Sequence, residues 1–326
     1  MAVSTIDQAV SNYINIISTT RSSNTARTYA NALRLYLFVL DNHHLPTEST
    51  PPAQLPEESI IWFTQYLKNY APSTERLYIT SAYGFFEYLI AEQIATPNLA
   101  RVRLLIRQRT RKPGQRLPQY HGNEIAIILD YIDDIANNIA INPLDHLINL
   151  RDRAFIVTLA ETGLRVHEAC SLRRGDIDWN EARAVILGKG NREAVVRFSN
   201  RALSVLKQYI SARASIDGAS GKPLSSLPLF IRHDRGAGKK VLPITTTTGR
   251  NIVNQRVNEA LGPEAVGKIT PHSFRHYFVT VILKSSGNLK LAQELARHRN
   301  IAVTQRYAHL SDDELDQGYA RIFDEI

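Results

Sequence analysis

Cysteine is nearly absent from this 326-residue chain: Cys170 is the only one. A single thiol allows no internal disulfide and no cysteine-based zinc cluster, which suits a reducing compartment. Cys170 itself reads as a small apolar residue packed in a helix. Long apolar runs are missing too. Nowhere do about 18 apolar residues follow one another, as a membrane span requires. The opening stretch MAVSTIDQAVSNYINIISTT lacks the basic flank and apolar core of an export signal. These gaps predict a soluble, cytoplasmic protein. Acidic residues are in deficit, 31 Asp and Glu against 39 Lys and Arg, which gives +8 at pH 7 and favours a polyanionic partner.

The length makes two domains the leading expectation. In SSNTARTYANALRLYLFVLDNHH, residues Tyr29, Leu33, Tyr36, Leu37 and Leu40 fall at helical spacing, with Ser23 or Asn24 as cap. PEESIIWFTQYLKNY and APSTERLYITSAYGFFEYLIAEQI repeat the pattern. The latter would bury Tyr78, Ala82, Phe85, Phe86 and Leu89, with Ser73 as cap. Residues 1–100 therefore read as a helical bundle. In RVRLLIRQRTRKPGQRLPQY, seven cations accumulate, while Pro113, Gly114 and Pro118 break any helix, so a linker is placed at 101–118. Arg107, Arg109, Arg111 and Lys112 are its candidate phosphate contacts, although a solvated basic loop has the same composition. From 119 to 326 the pattern is again helical, interrupted by AVILG and AVVRF, a hairpin joined by KGNRE. The TTTT at 245–248 is a polar run ahead of a helix. The fold class is mainly α: an N-terminal helical bundle followed by a mostly helical domain with a small antiparallel sheet.

Three stretches carry candidate chemistry. In AETGLRVHEACSLRRGDID, Gly163 stops one helix and a second starts at about Leu164, placing Arg165 in a first turn. A cation there opposes the helix dipole; it is offset either by Glu168 three residues on or by a bound anion. In ITPHSFRHYFVT, Thr270 caps, Pro271 takes the first position, and His272 and Arg275 share a face near the positive helix end. A phosphate suits that position, as does a plain capped helix with incidental cations. His276 and Tyr277 read as packing or surface neighbours. In LARHRNIAVTQRYAHL, a straight helix would put His298 and Tyr307 roughly 13 Å apart. If the two act together the chain must bend, and Asn300, Ile301 and Val303 favour a break.

TGLRVHEACSL, GKGNREAVVRF, HSFRHYFVT and LARHRNIAVTQRYAHL, in this order, resemble the motifs of the tyrosine recombinases, which include Xer proteins and phage integrases. The resemblance covers the whole of 119–326, and the helical front half is similar to the family's SAM-like core-binding domain. It implies a catalytic set of Arg165, Lys189, His272, Arg275, His298 and the nucleophile Tyr307, with Glu168 supporting Arg165. One departure stands out: Arg297 occupies a position where the family commonly has glycine before the later histidine.

The implied reaction is cleavage and rejoining of DNA at a specific core site through a 3′-phosphotyrosine. Two arginine forks suit the charge that builds on the non-bridging oxygens. A phenol needs a proton acceptor, for which His272 is the candidate, and the departing 5′ oxygen takes a proton from Lys189. His298 would hydrogen-bond the phosphate. No cofactor, metal, ATP, small-molecule substrate or membrane is expected; the partners are double-stranded DNA and further copies of the chain in a tetramer. The tail SDDELDQGYARIFDEI, with Leu315, Tyr319, Ile322 and Phe323 apolar, either packs on its own domain or docks on a neighbouring subunit. No added N-terminal domain for distant arm sites is read. Two other readings share the fold: a type IB topoisomerase-like relaxase and a non-catalytic DNA-binding protein.

Overall fold

A computed structural model describes residues 5–111, 121–138, 142–188, 192–234, 236–238 and 240–307. The chain divides into two compact units, Met1–Arg116 and Leu117–Ile326. No helix among the described residues is long and apolar enough to cross a membrane.

The first unit is a five-helix bundle: α1 (Ile6–Thr20), α2 (Ser23–Asn42), α3 (Ser59–Tyr66), α4 (Pro72–Ala91) and α5 (Leu99–Arg109). Its core gathers Leu33, Tyr36, Phe63, Phe85, Phe86 and Leu89, the residues that recur at helical spacing. The caps shift slightly from expectation. Ser22, not Ser23 or Asn24, caps α2 by accepting from the Thr25 N–H. Pro72 opens α4 after Ala71, so Ser73 lies inside the first turn. Tyr78 is half-buried rather than in the core.

The segment expected to be a linker is different. Residues 101–109 continue α5, which Asn98 caps and whose Val102 is fully buried in the first unit. Arginine is a good helix former, and the breakers Pro113, Gly114 and Pro118 come only after the helix has ended. Arg111 is not free for phosphate. Its backbone N–H and Nε donate to the Glu75 carboxylate, and its Nη2 donates to the carbonyls of Leu67 and Tyr70. Lys68 completes the neutralisation of Glu75 at 2.9 Å. Burial alone would raise the Glu75 pKa, but the hydrogen bonds from Arg111 and Lys68 outweigh it and hold the carboxyl below the usual range. Arg107 remains exposed; Arg109 leans on the Leu105 carbonyl and Gln108. Lys112 lies outside the described residues.

The second unit is built on α7 (Pro143–Thr162), which is buried on nearly every side. Around it pack α6 (Gly122–Asn137), α9 (Asn200–Ala212) and α12 (Pro271–Ser286). Among the described residues, the remaining helices are α8 (Val166–Ser171), α10 (Ala214–Gly218), α11 (Thr246–Leu261), α13 (Leu289–Ala296) and α14 (Ile301–Gln305). Thr245 caps α11, so the polar run at 245–248 is its start. Cys170 is buried beneath α11, and burial pushes its thiol up to about 12.

The hairpin pairs β2 (Arg183–Gly188) with β3 (Arg192–Arg197) in antiparallel register, Val185 opposite Val195. A two-residue strand, β1 (Ile177–Asp178), adds a third strand through Ile177 and Ala184. Ala184, Ile186 and Val196 face the core while Val185, Leu187 and Val195 face outward, as a period of two requires. Lys189 in the hairpin turn and the tail from 308 onward lie outside the described residues.

Candidate active site

The α7 stop is where the site begins. Gly163 caps α7 in the left-handed conformation, φ +60°, and a Cβ there would collide with the Phe278 ring. Only glycine turns the chain this sharply in this space. Its carbonyl consequently points at the cluster and accepts from Arg275 Nη1 and Arg297 Nη2.

Arg165 is the N-cap of α8 rather than part of its first turn. Glu168, at the third helical position, answers on both sides. One oxygen accepts from the Arg165 backbone N–H and the other from its Nη1, each at 2.8 Å. Glu168 is buried, which would raise its pKa, yet the Arg165 N–H and the charges of Arg297 and Arg165 hold it below the usual range and ionised. The Arg165 side chain stays 40% exposed, anchored to Glu168 through Nη1.

Arg275 lies on α12, whose first turn is fixed by Pro271 and by Ser273 accepting from the Thr270 N–H at 3.1 Å. The side chain is 2% exposed and bonds the carbonyls of Gly163 and Ala296. Burial, with Arg165 and Arg297 nearby, pushes its pKa down to about 10, so it remains a cation at neutral pH. His272, three residues earlier, keeps one side exposed. The protein against its other side and the cations Arg275 and Arg165 lower its pKa.

The last stretch does bend. α13 ends at Ala296, Arg297 turns left-handed at φ +57°, and Asn300 caps α14. The left-handed turn explains why glycine is the easier residue here: a side chain at that φ costs about 1–2 kcal/mol. Arg297 offsets the strain by hydrogen-bonding the Gly163 carbonyl at 3.2 Å and Glu168 at 3.3 Å. It thereby ties the turn before His298 to the turn that carries Arg165. Its Nε and Nη1 are buried with no hydrogen-bond partner among the described residues.

The bend brings His298 and Tyr307 ring to ring, with centroids 6.3 Å apart and planes 18° from parallel. His298 Nδ1 lies 3.0 Å from Thr304 Oγ1, and burial together with Arg275 and Arg165 pushes its pKa down to about 4. Tyr307 rests on the small apolar cluster of Val279, Ala292 and Ala296 between α12 and α13. Burial raises its phenol to about 12, against the pull of Arg275 and Arg306.

Tyr307 meets His276, not His272. Its hydroxyl hydrogen-bonds His276 Nδ1, and the ring centroids are 5.1 Å apart. The His272 and His276 rings in turn meet edge to face at 4.4 Å. His276 is therefore a member of the cluster rather than a packing neighbour. The signal was present in the sequence, since His272 and His276 are four apart and share one helix face. What no spacing revealed was that Tyr307 would land on that face. Arg165, Glu168, His272, Arg275, His298 and Tyr307 thus converge, joined by His276 and Arg297, while Lys189 lies outside the described residues. A cavity of about 640 Å³ beside them is lined by Arg165, Arg197, Arg297, His298 and the outward β3 residues.

Comparison with known proteins agrees with the motif order. The phage integrase family model matches residues 127–314. A tyrosine recombinase XerC of Anoxybacillus flavithermus is 30% identical over 243 residues, covering 74% of this chain and 72% of that protein. A tyrosine recombinase XerD of Listeria monocytogenes is 27% identical and spans 91% of this chain and 92% of its own. Among solved structures, the XerH site-specific recombinase on palindromic difH substrate, a post-cleavage complex, superposes with a TM-score of 0.67 at 20% identity, over 98% of this chain and 90% of that one. The Tn1549 transposon integrase bound to transposon right-end DNA gives 0.66 at 16% identity, over 98% and 99%. The chain belongs to the phage integrase family, among the Xer-like tyrosine recombinases, enzymes that break and rejoin DNA.

Proposed function

We propose that the chain is a site-specific recombinase that exchanges DNA strands through a 3′-phosphotyrosine on Tyr307. One observation carries this reading. The Tyr307 phenol is packed and hydrogen-bonded among imidazoles beside Arg275, which in turn shares the Gly163 carbonyl with Arg297 and lies near Arg165. Three segments far apart in sequence thereby supply a nucleophile and cations to one place.

Arg165 and Arg275 hold the two non-bridging oxygens of the scissile phosphate, where negative charge grows in the transition state. Glu168 keeps Arg165 aimed. His272 and His298 face the same phosphate as hydrogen-bond donors, and Lys189 protonates the departing 5′ oxygen. The covalent phosphoester keeps the bond's energy, so rejoining requires no ATP. Double-stranded DNA with a core site is the substrate, and a homotetrameric synapse is the working assembly. Residues 1–100 act as the core-binding domain, with the exposed Arg107 as a backbone contact. The set of cationic side chains favours this reading over a non-catalytic DNA-binding protein, which has no use for a packed nucleophile. The two-unit layout favours it over a relaxase.

The test uses nicked duplexes that carry the sequence flanking the protein's own gene. Wild type should give a denaturant-resistant protein–DNA adduct, and Tyr307→Phe should give none. An adduct that survives Tyr307→Phe removes the assigned nucleophile.

A further inference from the structure

We propose that His276 is a catalytic residue, the group that receives the phenolic proton of Tyr307 as the strand is cut. The proposal rests on the reading of Tyr307 as nucleophile. Its basis is geometric: the Tyr307 hydroxyl is hydrogen-bonded to His276 Nδ1, with the ring centroids 5.1 Å apart. The other two imidazoles are placed differently. His298 commits its Nδ1 to Thr304 and lies stacked against the Tyr307 ring rather than end-on to its oxygen. His272 touches His276, one helical turn on, and reaches the phenol only through it.

His276 is also held firmly. It sits between the buried Arg275 and the partly buried Tyr277 on α12, whose Phe274 and Val279 are fully buried. Tyr307 is held from the other side by the Val279, Ala292 and Ala296 cluster. Donor and acceptor are thus fixed by two packed surfaces, which is the preorganisation that proton transfer needs. Their protonation states match the roles: burial, with His272 and Arg275 nearby, keeps His276 neutral, pushed down to about 4, and burial keeps Tyr307 protonated, raised to about 12.

In the step, the phenol O–H bond breaks and its proton passes to His276 Nδ1. The phenol oxygen bonds the scissile phosphorus while the bond from phosphorus to the 5′ oxygen breaks, that oxygen taking a proton from a general acid. The imidazolium is favoured at that moment because negative charge is growing on the phosphate beside it. In rejoining, a 5′ hydroxyl attacks phosphorus and gives its proton back to the same general acid, while Tyr307 leaves and takes its proton from His276.

The experiment measures single-turnover cleavage of the nicked duplex by the full chain, with Tyr307 or with 3,5-difluorotyrosine introduced at 307 by nonsense suppression. The fluorines make the phenol a stronger acid that ionises with less help. His276→Ala and His276→Gln should each slow cleavage on the order of a hundredfold with unchanged DNA binding. Difluorotyrosine should shrink both losses to a few-fold. Glutamine keeps a hydrogen-bond acceptor without a base, so it separates holding the phenol from taking its proton. Wild-type speed in His276→Gln, or a loss in both variants that the fluorinated phenol leaves unrelieved, overturns the proposal while leaving Tyr307 as nucleophile. Failure of the nucleophile reading shows separately, as an adduct that persists in Tyr307→Phe.

Discussion

Two charged clusters, one in each unit, are built to opposite plans. At Glu75 in the first unit, one buried carboxylate meets two partly exposed cations, Lys68 and Arg111, so the surplus positive charge is left to solvent. At Glu168 in the second unit, one buried carboxylate must serve Arg165 and Arg297, with Arg275 a carbonyl away and three histidines beyond. The first arrangement closes a fold. The second buries its surplus of positive charge: burial first, and the neighbouring cations after it, lower the pKa of Arg275 and of His298, and uncompensated buried charge is costly without an anion to receive it. A surplus of charge that solvent can screen marks a structural clamp; a surplus held away from solvent marks a place meant for a ligand.

The sharpest way to break this contrast is at the second cluster. Arg275→Ala should lower cleavage of the nicked duplex about 10²–10³-fold, as loss of a transition-state donor does, while DNA binding is largely kept. Adduct formation at the wild-type rate would show that Arg275 serves only the Gly163 and Ala296 carbonyls. Next in size, Glu75→Ala should destabilise the protein by about 1–3 kcal/mol in urea unfolding, because Arg111 and Lys68 lose their shared partner. Unchanged stability would make the Glu75 cluster ornamental.

Acid offers a third test. His233, hydrogen-bonded to Tyr209 at 2.9 Å, is pushed down to about 4 by burial, with Arg151 and Arg213 adding, and His276 and His298 are similarly depressed. Each ring favours the folded state fully above the unfolded histidine value of about 6.5, and that contribution drains away as pH falls towards 4. Melting temperature should therefore drop between pH 7 and pH 5, and a flat profile would mean that these rings charge inside the fold. The smallest effect distinguishes two arginines of one helix end. Arg107→Gln should flatten the salt dependence of DNA binding by about one unit of slope, whereas Arg111→Gln should leave the slope alone and reduce stability. Equal slopes in the two variants would erase the distinction between the clamped and the exposed arginine.

Much of this was written in local sequence. Helical spacing marked the core of the first unit, Gly163 announced the α7 stop, and the 298–307 segment required a break that Asn300 supplies. AVILG and AVVRF marked the hairpin, but being apolar throughout they did not say which residues face inward; burial of Ala184, Ile186 and Val196 did. These are short-range facts, set by periodicity, capping and turn chemistry over a few residues. What escaped was long-range. Arg111 looked like one more linker cation until Glu75, thirty-six positions earlier, proved to be its partner. His276 looked incidental because its partner, Tyr307, is thirty-one positions later. Arg297 was visible as a departure, but its reason was not, because Gly163 and Glu168 reach it only through the packing of α12 and α13 beside α7. The residue types and their order were decided by the sequence alone. Which cation closes the fold and which is left in surplus was decided by tertiary packing, since only burial and the arrival of distant groups set what a charge is worth.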